Sequence, residues 1–110
     1  MNSQEILKYF SHKDFVQDLK QQLIKDIEGA EVALDEELLS FEQLYALLLP
    51  VVESKFNDKT QWMRMINRVD LNERQLNNLG TMEGTYTEKM TKAIILREFQ
   101  KIGIRWSNKK

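Results

Sequence analysis

The chain has 110 residues, 42% hydrophobic and 30% charged, with a net charge of −1, one histidine and no cysteine. That length suffices for one domain with its own apolar core, and the missing cysteine excludes disulfide frameworks, cysteine-ligated zinc, iron–sulfur sites and thiol nucleophiles. Four glycines and one proline leave little turn punctuation for a β-rich fold. The expectation is therefore an all-α, compact bundle of four to five helices forming one domain over 1–110, with 104–110 a short basic tail.

The opening Met1-Asn2-Ser3-Gln4-Glu5 has neither the basic start nor the apolar stretch of a secretory signal. The longest apolar run, Leu44 to Val52, is too short to cross a bilayer. A cytoplasmic protein without a membrane partner is expected. Ser3 is placed to cap a short first helix carrying Ile6, Leu7 and Phe10. Ser11 with Asp14 resembles a capping box, and opens a helix with Phe15, Val16, Leu19, Leu23, Ile24 and Ile27 on one side, ending before Gly29. Over Ala30 to Leu39 two readings stand: a helix capped by Asp35, or a later start at Ser40 with Gln43 as its partner. Leu44, Leu48, Val51, Val52 and Phe56 share a side through Pro50, which predicts one helix kinked there, with two shorter helices as the alternative.

Asn57 and Asp58 break that helix, and Trp62, Met65, Ile66 and Val69 follow at helical spacing. Asn72 with Gln75 forms a capping box for a short helix, framed by Leu71 and Leu76 as a hydrophobic staple; Gly80 ends it, and Thr81 to Gly84 is a loop. Thr85 with Glu88 caps a last helix reaching about Ile102, with Gly103 as its stop. Apolar residues occupy both sides of it: Tyr86, Met90, Ala93 and Ile94 on one, Ile95, Phe99 and Ile102 on the other. Such a helix is either central in the bundle or shared with a partner.

Three stretches, Leu44 to Phe56, Met65 to Leu76 and Ile95 to Ile102, together resemble a group of small uncharacterised all-helical bacterial proteins. In that group an apolar helix with a mid-helix proline precedes an aromatic- or Asn-Arg-hydrophobic-Asp turn, a short helix and a final Arg-Glu-hydrophobic-Gln-Lys helix. Here Asn67 stands where the group commonly has an aromatic residue. The resemblance implies a compact helical fold and carries over no catalytic residue.

The charge is unevenly spread. Residues 1–58 carry 5 basic and 12 acidic side chains, residues 59–84 carry 4 and 3, and residues 85–110 carry 7 and 2. His12 sits among polar residues with no nucleophile motif nearby, and reads as a surface histidine. Asp35, Glu36, Glu37 and Glu42 fit neither an EF-hand loop nor a Glu-x-x-His motif, so no metal site is expected. Gly80 and Gly84 do not form a phosphate loop, no cofactor is implied, and no catalytic constellation appears.

The leading expectation is a non-enzymatic interaction or regulatory module. It binds a protein partner or a second copy of itself through the final helix, with Ile95, Phe99, Ile102, Arg105 and Trp106 as partner-binding residues; Arg68 is either an anchor for the partner or, the reading its place favours, a tie from the turn to a carboxylate such as Glu73. The alternative is nucleic-acid binding through the basic end, where Trp106 stacks on a base. For Trp106 an equal reading is that it folds back to cap the core.

Overall fold

Four helix starts are set by side chains that accept hydrogen bonds from otherwise unpaired first-turn N–H groups. The computed structural model describes residues 8–108. They form α1 (Lys13–Asp26), α2 (Ala30–Ala33), α3 (Phe41–Phe56), α4 (Lys59–Val69), α5 (Glu73–Asn78), a 3₁₀ turn (Leu79–Thr81) and α6 (Tyr86–Ser107). No strand occurs among the described residues. The Ser3 cap with Ile6 and Leu7 lies outside them. Ser40, Asp58, Asn72 and Thr85 each accept from the backbone N–H three residues on, and Asn72–Gln75 and Thr85–Glu88 close complete capping boxes. Asn72→Ala is expected to cost about 1 kcal/mol of unfolding free energy in urea melts.

α1, α3, α4 and α6 are the long elements, at 14, 16, 11 and 22 residues. α2, α5 and the 3₁₀ turn, at 4, 6 and 3 residues, are short connectors between them. α3 is one helix through Pro50; Ala46, whose carbonyl loses its partner there, and Pro50 both lie on the exposed side.

Several starts and stops differ from the sequence reading, each for a local reason. Ser11 does not cap α1: its hydroxyl donates back to the Lys8 carbonyl, closing the preceding turn, and His12 takes the cap position without a side-chain bond. Asp35 does not open a helix. The Gln43 side chain instead clamps the segment before α3, accepting from the Leu39 N–H at 2.7 Å and donating to the Glu37 carbonyl at 3.0 Å and to Glu36 Oε1 at 3.0 Å. Leu34 and Leu38, both buried, anchor that segment to the core. Gly103 does not stop α6, which continues to Ser107. The added turn is held down by Trp106, whose ring meets Phe15 edge-on at 5.4 Å.

Phe15, Leu19 and Leu23 of α1, Leu44, Leu48 and Val52 of α3, Met65 and Val69 of α4, and Ile94, Ile95, Phe99 and Ile102 of α6 form one apolar core. α6 packs against α1, α3, α4 and α5. Apart from Tyr86 at its start, its two apolar sides are therefore both covered from within the chain, the central arrangement of the two open to such a helix. Ile66, which shares the apolar side of α4, is only half-buried.

Candidate functional site

Ile95, Phe99 and Ile102 are each 0% exposed, so the strip expected to meet a partner lies in the core, with Phe99 packed among Tyr9, Phe10 and Phe15 at 5.5–6.2 Å between ring centres. Arg105 donates to Gln22 Oε1 at 2.6 Å, and Trp106 is half-buried with its indole N–H donating to Asp18 at 2.9 Å. Trp106 thus follows the core-capping reading: apolar ring inward, polar edge on a carboxylate. Arg68 is exposed, and its backbone carbonyl, not its guanidinium, takes part in packing by accepting from Lys101 at 3.1 Å. The arginine that secures the Asn-Arg-Val-Asp turn is Arg97. It donates to the Asp70 carbonyl at 2.8 Å and lies 3.7 Å from the Asp70 carboxylate, where Asp70 takes φ +57° to end α4.

Sequence reasoning missed a polar cluster beneath α6. Glu98 is fully buried and Asp26 nearly so. Lys101 Nζ donates to Asp26 Oδ2 at 2.9 Å and lies 3.2 Å from Glu98 Oε2, while Gln22 donates to Asp26 Oδ2 at 2.8 Å. Burial pushes the Glu98 carboxyl up to about 8, with Asp26 adding to the rise. Burial also raises Asp26, but hydrogen bonds involving Glu98, Gln22 and Lys101 outweigh it and hold Asp26 below the usual carboxylate range. At neutral pH Glu98 therefore holds its proton beside an ionised Asp26. Neither Glu98 oxygen has a hydrogen-bond partner among the described residues, so burial is not offset at this carboxyl as it is at Asp26. With no exposed surface, Glu98 meets no substrate; the cluster fastens α6 to α1 and to the end of α4.

The feature that does reach the surface is aromatic. Phe56 closes α3, Trp62 lies in the first turn of α4 and Tyr86 opens α6. Their ring centres lie 5.0, 5.6 and 6.1 Å apart, so each ring touches the other two. Yet Phe56 and Tyr86 are each 49% exposed, with Met63 beside Trp62 at 47%. Phe56 thus departs from the core-facing row in which its spacing placed it, because it is the last residue of α3 and stands at the rim. Glu53, Phe56, Asn57, Thr85, Tyr86 and Thr87 line a shallow groove of about 240 Å³ between the end of α3 and the start of α6.

His12 is exposed at the start of α1. Among the described residues no group of three or more histidine or acidic side chains is placed to hold a metal ion. No helix among them is long and apolar enough to cross a membrane. Compared with protein-family models, with curated proteins and with solved structures, the chain matches none.

Proposed function

We propose that this chain is a non-enzymatic, cytoplasmic interaction module that binds a protein partner through the Phe56–Trp62–Tyr86 patch rather than through the Ile95–Phe99–Ile102 strip of α6. The observation that carries this is the mutual packing of three rings at helix ends with about half of two of them left in solvent. Aromatic side chains offer large contact area at low entropic cost, and are the residues around which protein–protein binding energy concentrates. A monomer gains little from leaving such a cluster uncovered. Basic charge at the C-terminal end gives weaker support to nucleic-acid binding, because Arg97, Lys101 and Arg105 each engage polar groups of the chain's own body.

The test places a photo-crosslinking amino acid at Asn57, on the rim of the groove, and irradiates the protein in extract of its native cells. A discrete adduct is expected that disappears when Phe56→Ser and Tyr86→Ser are introduced, while the same crosslinker at Gln21 on α1 gives none. If the adduct has twice the mass of the chain, and sedimentation shows a dimer abolished by the same two changes, the occupant is a second copy. An adduct at Asn57 indifferent to both serine changes would sink the proposal.

A further inference from the structure

We infer that the groove between α3 and α6 receives an arginine side chain of a partner protein, its guanidinium lying on the Phe56 and Tyr86 rings with Glu53 as counter-charge. This rests on the reading of the aromatic patch as a docking surface, and adds to it the chemistry of what docks.

Three observations point to a cation. Glu53 stands three residues before Phe56, so the carboxylate and the ring are neighbours on one face of α3. Like most exposed carboxylates of the chain, Glu53 makes no ion pair among the described residues, so no cation of the chain's own neutralises it. Of the residues that line the groove Glu53 alone is charged, so the groove wall itself offers one negative charge and no positive one.

The chain also displays the same arrangement with its own cation in place. Lys92 lies over the Tyr45 ring, 5.4 Å from its centre, and its charge also acts on Glu88. The Tyr45 phenol is pushed up by burial and then by the charges of Glu88 and Glu53, which puts both carboxylates within electrostatic reach of one ring. No cation of the chain is seated over Phe56, Trp62 or Tyr86 among the described residues.

Size and shape select the occupant. At about 240 Å³ the groove falls below the roughly 300–1,000 Å³ of a site for a drug-sized molecule, and suits a single long side chain. The three rings touch one another, so no closed cage for a quaternary ammonium exists between them. A flat guanidinium needs no cage: it stacks on one ring face and turns its N–H fork to a carboxylate at the edge.

The experiment is an amide-resolved NMR titration of the full chain with N-acetyl-arginine amide, N-acetyl-lysine amide and the uncharged N-acetyl-citrulline amide. The arginine probe is expected to shift the amides of Glu53, Phe56, Tyr86 and Thr87 and to bind roughly threefold to tenfold more tightly than citrulline, with lysine between. Glu53→Gln on the exposed face should weaken the arginine probe roughly threefold to fivefold without changing the melt. Phe56→Leu with Tyr86→Leu, which keep apolar area but remove the ring faces, should abolish it. Equal binding of arginine and citrulline, or shifts spread evenly over the acidic surface, would overturn the inference. Should the Asn57 adduct survive the leucine changes but not the serine changes, the patch docks a partner through apolar area and only the arginine assignment is lost. Indifference of the adduct to the serine changes loses both.

Discussion

Between about pH 5 and about pH 9 the folded chain is expected to lose about 3 to 5 kcal/mol of unfolding free energy, most of it through Glu98. In the unfolded chain this carboxyl titrates near its ordinary 4.5, and in the folded chain at about 8. Between those values the folded state holds a proton that the unfolded state has released, so stability falls as pH rises through the window and levels off above it. Below the window the sign reverses. Asp26, Asp58 and Glu88 are all held below their ordinary values, so their contribution is present above the unfolded value and is lost on further acidification. The groups that act on Glu98 are Asp26 from α1 and Lys101 from its own helix, and Lys101 is in turn held by Asp26 and by the Arg68 carbonyl of α4. Maximum stability is therefore expected near pH 4 to 5, at the lower edge of the usual range. Glu98→Gln imitates the neutral carboxyl and leaves Asp26 a donor. It should match the parent chain at about pH 5, exceed it by about 3 kcal/mol at about pH 9, and flatten the profile between. Urea melts across that range decide the matter: a parent profile already flat would mean that Glu98 is charged in the fold, with Lys101 carrying the compensation.

Glu98 also shows what the sequence made legible and what it left hidden. Capping is local chemistry, so Ser40, Asn72 and Thr85 could be read as helix starts from a few neighbouring residues, and the structure places a start at each. The long helices were legible for the same reason, since their apolar rows repeat within the element. The environment of a helix is not local. A glutamate between Arg97 and Lys101 looks solvated until α6 is known to be central, although its place four residues after Ile94 and four before Ile102 puts it in a buried row. The aromatic patch was hidden differently. Phe56, Trp62 and Tyr86 each have core-like spacing in their own helices, and only the meeting of three helix ends brings them to the rim. Gly103 failed as a stop because tertiary contacts of Trp106 outweigh a propensity cost of about 1 kcal/mol.

Phe99→Glu is expected to unfold the chain. Phe99 has no exposed surface, and three aromatic rings of the N-terminal part of the chain pack around it. Truncating a ring so placed costs about 3 to 5 kcal/mol through lost burial and the cavity left behind. A carboxylate adds the penalty of a polar group in apolar surroundings, because the three cations of the same half of α6 are already engaged: Lys101 with Asp26, Arg97 with Asp70, and Arg105 with Gln22. The sum reaches the whole stability of about 5 to 15 kcal/mol typical of a single domain. Loss of the helical circular-dichroism signal at neutral pH is the expected reading. Phe99→Leu, which keeps most of the apolar volume, should stay folded with a lowered melting temperature. The opposite result would be equally clear. A Phe99→Glu chain that kept its helicity and merely changed its sedimentation would place this face of α6 at an interface between copies, and the central position of the helix with it would be lost.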